Sequence, residues 1–207
     1  MTNGRPPHDW TETFSGEEVD LTTPSAATIR LDDIARSLSR IARFNGHTLG
    51  DEPYNVALHS VWVAEVLEAE FESGPLTALF GLLHDAHEAY TGDITSPMKR
   101  TIGHAGIAAI QGRLQRVIHV ALELPDVTGA QARLIAEADR IALVAEAKVL
   151  MRSGGAGWDY PPPPVWAVSR VFPCLRARRS EAMFLETYDR LARSSGAQAT
   201  NFVRCGR

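Results

Sequence analysis

The feature that most constrains the fold is a long segment, residues 128–151, in which apolar side chains recur at helical spacing. Positions three and four apart lie on one face of a helix, so this segment predicts a helix with one side against a core. The same period recurs along most of the chain, and neither an alternating strand pattern nor an internal repeat competes with it. The sequence therefore predicts an all-α single domain built as a helical bundle.

Six helices are predicted from their apolar faces and their end signals. Asn45-Gly46 interrupts the pattern after the first helix, and Pro75 suits the first turn of the third. Thr91-Gly92 suits the end of that third helix, and Ser180 is an N-cap residue for the last. The predicted helices cover about 31–42, 54–67, 75–91, 107–122, 128–151 and 180–195.

Polar and proline-rich stretches divide the chain into four parts. Residues 1–27, rich in Gly, Pro, Ser and Thr, predict an extended N-terminal arm. The helical core is predicted at 28–152, and a Gly/Pro-rich loop at 153–179 contains SGGAGWDYPPPP, which cannot be regular helix. The last helix and tail, residues 180–207, are expected to pack on the core.

Charge and cysteine content exclude several classes of protein. The 207 residues carry a formal net charge of −4, so no global basic field is present to hold nucleic acid. No apolar run approaches the roughly 20 residues needed to span a bilayer, and the first ten residues contain no signal-peptide core. Cys174 and Cys205 lack metal-type spacing and are interpreted as free thiols, with a disulfide between them as the alternative. Together these observations predict a cytoplasmic protein with no membrane partner.

Titratable residues crowd into the end of the third predicted helix, within LLHDAHEAYTGDITSPMK. His84 and Glu88 are four apart, and Asp85 and Glu88 are three apart, so these side chains are predicted to face one pocket. An imidazole beside carboxylates suits a divalent cation. Two adjacent ligands rarely complete a metal shell, so further ligands are expected from elsewhere in the chain.

His59 and Asp139 are the candidates for those further ligands, because each lies within an apolar helix and a buried carboxylate needs a partner. Taken singly, each residue has a simpler explanation. A lone histidine usually makes a core hydrogen bond, and Asp139 has Arg133 and Arg140 nearby in sequence as ion-pair partners.

Taken together, His59, the doublet His84-Asp85 and the distant Asp139 resemble the H…HD…D pattern of the HD-domain phosphohydrolases. The string HDAHEAYTGDITSPMK is similar to the HD-x-x-E-x-x-x-GD-x-x-x-P-x-K segment of the bacterial 5'-deoxynucleotidases. RFNGH and YNVALHS also resemble segments of other bacterial and phage HD proteins. The resemblance covers roughly residues 28–152 and implies an all-α metalloenzyme.

The resemblance implies that His59, His84, Asp85 and Asp139 hold one divalent ion. Two neutral imidazoles and two carboxylates give a site of no net charge once the ion is bound, and mixed nitrogen and oxygen ligands leave Mn, Co, Mg, Ni, Fe and Zn all open. The site is expected to keep open positions for water and phosphate.

Two carboxylates are implied to act catalytically and three other residues to bind substrate. Glu88 is expected to move a proton to or from the reacting oxygens, and Asp93 to bind water or the sugar hydroxyl. The expected substrate contacts are Arg43 and Lys99 to phosphate and Phe44 to the base or sugar. The deoxynucleotidases carry Trp at the position of Phe44, so the base and sugar preference stays open. Four residues have less definite roles: His47 near phosphate, His87, and Tyr54 and Tyr90 as further stacking side chains.

The function that follows as an expectation is hydrolysis of nucleotide phosphate esters, with deoxynucleoside 5'-monophosphates or triphosphates as substrates. One alternative is an HD-type hydrolase of cyclic or alarmone nucleotides, and another is a non-catalytic HD module that binds nucleotide or metal. A structural or interaction protein is a third, with the Gly/Pro-rich loop as its contact. Related nucleotidases are often dimers, so a homodimer or higher homo-oligomer is expected.

Overall fold

The computed structural model describes residues 9–197, and an all-α single-domain fold is confirmed. Nine α-helices occur in this part of the chain. They are α1 (Leu31–Leu38), α2 (Val56–Glu70), α3 (Pro75–Leu82), α4 (Glu88–Thr91), α5 (Ser96–Ile102), α6 (His104–Ala121), α7 (Gly129–Leu150), α8 (Val165–Arg170) and α9 (Ala177–Ser195).

Helix α2 is the centre of the core. It packs against α3, α7 and α9, and its side chains from Val56 to Ala64 are all buried. The largest of them, Trp62, meets Trp166 and Phe172 edge-on, so the second half of the Gly/Pro-rich loop packs against the bundle. Within residues 9–197, no helix is long and apolar enough to cross a membrane.

The N-terminal segment differs from the expected extended arm. Strand β1 (Trp10–Glu12) pairs antiparallel with β2 (Glu18–Asp20), and Val19 is fully buried in the main core. The turn between the strands is tied down by Ser15, whose backbone N–H and hydroxyl both donate to the Asp33 carboxylate on α1. The hairpin is too short for its pattern to be visible in sequence. Residues 1–8 lie outside the described part.

The third predicted helix is not continuous. Helix α3 ends at Leu82, a turn follows, and α4 begins at Glu88. In the turn, the N–H of His84 bonds the carbonyl of Gly81 and that of Glu88 bonds the carbonyl of Asp85, which is three-residue spacing rather than the four of an α-helix. The prediction that His84, Asp85 and Glu88 share a face through regular helical spacing is therefore wrong in its geometry.

The C-terminal part also departs from its predicted bounds. The Gly/Pro-rich loop contains α8, and α9 begins at Ala177, so Ser180 lies inside the helix and is buried rather than serving as its N-cap. Within residues 9–197 Cys174 forms no disulfide, and because Cys205 lies outside the described residues, the free-thiol interpretation of the two cysteines stays a prediction.

Asn55 joins the start of α2 to α9. Its side-chain oxygen accepts from the N–H of Leu58 at 3.1 Å, which caps α2, and its amide donates to the buried Ser180 hydroxyl at 2.9 Å. The preceding residue, Tyr54, accepts the backbone N–H of Arg43 through its carbonyl. The Asn55 side chain therefore ties the start of α2 to α9, and the neighbouring backbone holds the turn that carries Arg43.

Replacing Asn55 with alanine is expected to lower the free energy of unfolding by roughly 2–3 kcal/mol, because it removes a helix cap and leaves a buried hydroxyl without its donor. Thr128→Ala is the matched control. It removes an exposed cap of α7 and is expected to cost about 1 kcal/mol. Urea unfolding of the two variants measures the difference, and equal losses would contradict the role given to the Asn55–Ser180 bond.

Candidate metal centre

Three separate elements bring the four predicted ligands close together. His59 lies in the first turn of α2, His84 and Asp85 lie in the turn after α3, and Asp139 lies in the middle of α7. His59 Nε2 is 3.1 Å from Asp139 Oδ1 and 3.8 Å from Asp85 Oδ2. His84 Nε2 is 3.1 Å from Asp85 Oδ2 and 3.9 Å from Asp139 Oδ1.

These distances are close to those between ligand atoms that bind one metal ion. Ligand atoms about 2.0–2.2 Å from a common centre lie roughly 3–3.5 Å from one another. Ligand atoms of His59, His84 and Asp139 fall within 4.8 Å of one another, and Asp85 touches both imidazoles. The explanation that Asp139 pairs with a neighbouring arginine fails for Arg140, which binds Glu137 instead.

The tautomers of the two histidines leave their Nε2 atoms facing acceptors. The Gly81 carbonyl only accepts, so His84 Nδ1 carries the hydrogen of that 2.8 Å bond. His59 Nδ1 lies 2.8 Å from a carboxylate oxygen of Glu146. In the neutral rings, each Nε2 therefore points a lone pair at carboxylate oxygens. Within residues 9–197, neither Nε2 has a hydrogen-bond partner. Such an arrangement requires a proton or a cation at the shared point, so the residues fit a divalent ion.

The pKa values of these groups indicate the same need for positive charge. Burial by itself lowers the pKa of His84, but the Asp85 carboxylate outweighs it and raises that pKa to about 9. Burial favours the neutral form of Asp85, but the two imidazoles, His84 first, hold its pKa well below the usual range. Burial also opposes ionisation of Asp139, and His59 lowers its pKa nonetheless. Without a metal ion, protonated imidazoles supply the charge that the carboxylates require.

Glu88 and Asp93 lie beside the predicted ligands. Glu88 begins α4 and is 3% exposed, and one of its carboxyl oxygens has no hydrogen-bond partner in the described part of the chain. Burial first, and then the charges of Asp85 and Asp93, raise the pKa of Glu88 to about 9. Asp93, after the turn residue Gly92, has a raised pKa because of burial, which Arg43 partly offsets. In the metal-free protein, burial and the neighbouring carboxylates therefore favour the protonated form of Glu88.

A second set of ligand-type side chains adjoins the first. Ligand atoms of Asp85, His87 and Glu88 also lie within 4.8 Å of one another. His87 Nδ1 is 3.2 Å from the amide oxygen of Gln115 on α6, and burial lowers the pKa of His87. The Gln115 contact fixes this imidazole at the edge of the centre.

The two predicted phosphate-binding cations both act on carboxylates of the centre. Arg43 is buried in the 3-10 turn Arg43–Gly46, with its Nε 3.2 Å from Glu146 Oε2 and its Nη1 4.0 Å from Asp85 Oδ2. Lys99 lies half-buried on α5, and its charge lowers the pKa of both Glu88 and Asp93. Both cations are therefore within electrostatic reach of the carboxylates.

Phe44 is held beside the Gly/Pro-rich loop. Its backbone is left-handed, with φ of 54°, and its ring lies 6.2 Å from Trp158 and 5.3 Å from the Arg43 guanidinium. Tyr54 and Tyr90 are buried in the core, so the prediction that they stack on a base is wrong. His47, at the end of the 3-10 turn, is exposed.

A cavity of about 330 Å³ opens between α3, α6 and α7 next to the predicted ligands. His84 and Asp139 line its inner end, and Phe80, Val127 and Ile135 provide apolar walls. A volume of this size is at the lower end of small-molecule sites.

Sequence reasoning missed Glu146 and Trp158. Glu146 is fully buried on α7, about two helical turns after Asp139, and that spacing on one helix face was the available signal. No local pattern distinguishes Trp158 from other loop aromatics, because its partner Phe44 is remote in sequence.

Two curated relatives place the chain among known proteins. It is 38% identical over 141 residues to an uncharacterized protein of Rhodobacter capsulatus, an alignment that covers 67% of this chain and 71% of the relative. It is 31% identical over 182 residues to the uncharacterized protein YfdR of Escherichia coli, covering 87% of this chain and 94% of the relative. No family model matches the chain. The chain belongs to the family that these two relatives represent.

Proposed function

We propose that this protein hydrolyses the phosphate esters of nucleotides with one divalent ion held by His59, His84, Asp85 and Asp139. The proposed substrates are deoxynucleoside 5'-monophosphates or triphosphates, in line with the resemblance of HDAHEAYTGDITSPMK to the deoxynucleotidase segment. The observation that carries the proposal is the pair of imidazole Nε2 atoms facing two carboxylates at one point, next to a buried carboxyl group.

The surrounding carboxylates support a cation in this centre. Asp85, Asp139 and Glu146 lie within 4.0 Å of an imidazole or a guanidinium nitrogen. A bound divalent ion supplies Lewis-acid activation of the phosphoryl group and of water.

The chain's own residues then have separate tasks. Arg43 and Lys99 neutralise the charge that develops on the phosphoryl oxygens. Water oxygen forms a bond to phosphorus as the ester P–O bond breaks, Glu88 gives its proton to the leaving oxygen, and the proton released by the water restores Glu88. Asp93 orients water or the sugar hydroxyl. Phe44, with Trp158 behind it, offers an aromatic surface to the nucleoside.

A panel of nucleotides tests the proposal. Deoxy- and ribonucleotides with one, two or three phosphates, together with a cyclic dinucleotide and a guanosine tetraphosphate, are incubated with Mn, Co, Mg, Ni, Fe or Zn. Release of phosphate, pyrophosphate and triphosphate is measured separately. Metal-dependent hydrolysis of a deoxynucleotide is expected. Cleavage of only the cyclic or tetraphosphate compounds, or tight binding without cleavage under any metal, would contradict the proposal.

Lys99→Ala is expected to raise the KM for the nucleotide about tenfold, because a point charge facing the phosphate is worth roughly 1–2 kcal/mol when partly desolvated. Arg100→Ala on the same helix is the matched control, since Arg100 is exposed and should leave KM unchanged. Steady-state kinetics of both variants measure the difference. Equal effects would mean that α5 contributes only a general positive field.

A further inference from the structure

Glu146 is a fully buried carboxylate whose two oxygens contact two different parts of the centre. Oε1 lies 2.8 Å from His59 Nδ1, and Oε2 lies 3.2 Å from Arg43 Nε. Burying an ionised carboxylate without partners costs several kcal/mol, so these two contacts are what allow it to remain in the core. None of the roles described above uses this residue.

We propose that Glu146 is a positioning residue that fixes His59 toward the cation and Arg43 toward the phosphate. The inference rests on the proposed function, because it names what holds two of that site's residues in place. By accepting the Nδ1 hydrogen, the carboxylate keeps the His59 lone pair on Nε2, the atom that lies 3.1 Å from Asp139. It also makes that nitrogen a stronger base and so a better metal ligand.

The second carboxylate oxygen of Glu146 contacts Arg43. The buried guanidinium has carboxylate oxygens of both Glu146 and Asp85 within 4.0 Å, and since its Nε makes no hydrogen bond in the described part of the chain, charge attraction holds it at the centre before any substrate arrives. The Arg43 turn contains two consecutive left-handed residues, Phe44 and Asn45, a strained backbone that surrounding contacts must hold. Loss of Glu146 therefore acts on a metal ligand and on a phosphate-binding cation together.

The test is the affinity of the metal-free protein for Mn²⁺, measured by calorimetry. Glu146→Gln keeps the shape and an acceptor oxygen for His59 but removes the charge. It is expected to weaken Mn²⁺ binding by about 10–100-fold, the usual effect of losing an outer carboxylate partner. The control is Glu137→Gln on the same helix, which alters an exposed pair with Arg140 and should bind Mn²⁺ as the wild type does.

A folded Glu146→Gln protein with wild-type Mn²⁺ affinity would overturn the inference. If that variant does not fold, as judged by circular dichroism, Glu146→Asp replaces it. The shorter charged side chain is expected to weaken binding about three- to tenfold, and unchanged affinity would again overturn the inference. A different result would contradict the proposed function: wild-type protein that binds Mn²⁺ but hydrolyses no nucleotide. Wild-type protein that binds no divalent ion would overturn both.

Discussion

Asp139→Asn is expected to weaken divalent-metal binding by more than about 100-fold and to abolish hydrolysis. This loss is larger than the effect, about 10–100-fold, of removing a residue that only supports a ligand, because Asp139 is proposed to bind the ion directly. Asp139 supplies the oxygen that lies 3.1 Å from His59 Nε2 and 3.9 Å from His84 Nε2. Asparagine keeps the size of the side chain but not its charge, and Asp139 lies at the partly open side of the centre with 42% of its side chain exposed. Helix α7 should therefore remain folded.

The measurements are metal content after dialysis, Mn²⁺ affinity and circular dichroism on one preparation. Asp51→Asn, in an exposed loop, is the control for loss of one negative charge. A folded Asp139→Asn protein that binds Mn²⁺ as tightly as the wild type would show that the ion, if any, lies elsewhere. The second group of ligand-type residues, Asp85, His87 and Glu88, would then be the place to look.

Glu88→Gln is expected to keep the fold and the metal but to lower the hydrolysis rate by roughly 10²–10⁴, the usual cost of losing a positioned acid or base. The substitution keeps the volume of a side chain that is 3% exposed, so packing changes little. The substrate's charge still meets Arg43 and Lys99, and nucleotide affinity should change much less than the rate. Glu123→Gln, on an exposed turn, serves as the control.

Single-turnover rates, metal content and nucleotide affinity measured together separate the possible roles of Glu88. Loss of metal along with the rate would make Glu88 a ligand rather than a proton donor. Unchanged turnover would remove Glu88 from the chemistry and leave Asp93 as another carboxylate with a raised pKa.

The proposed role of Glu88 also predicts how the hydrolysis rate depends on pH. Because the protonated form of Glu88 donates, the rate of the metal-loaded enzyme should fall as pH rises through the pKa of Glu88, and Glu88→Gln should lack that decline.

Helix positions were largely readable from the sequence, because the period of a helix is a local property. The long segment at 128–151 corresponds to α7 within one residue at either end, and its cap, Thr128 with Gln131, is complete within four residues. The points at which helices end were harder to predict from the sequence. Helix α3 ends at Leu82 because His84 turns its ring back to the Gly81 carbonyl, and a string of helix-compatible residues does not reveal that choice.

For the candidate centre, too, the sequence predicted some features and not others. His59, His84, Asp85 and Asp139 were recognisable because their residue types and order form a pattern. Their convergence depends on α2, α3 and α7 packing together. Tyr54 shows the opposite case, since an aromatic next to the site in sequence proved to be a core residue.

The sequence by itself determined the helical class, most helix positions and the identities of the residues that now lie at the centre, since each depends on neighbours within a few positions or on residue type. Only the tertiary structure decided that Glu146 faces His59 and Arg43, that Trp158 lies against Phe44, and that the hairpin at residues 10–20 joins the core. Those contacts join segments far apart in the chain. Which of them form depends on how the buried faces of several helices fit together, and that fit is a property of the whole packed core.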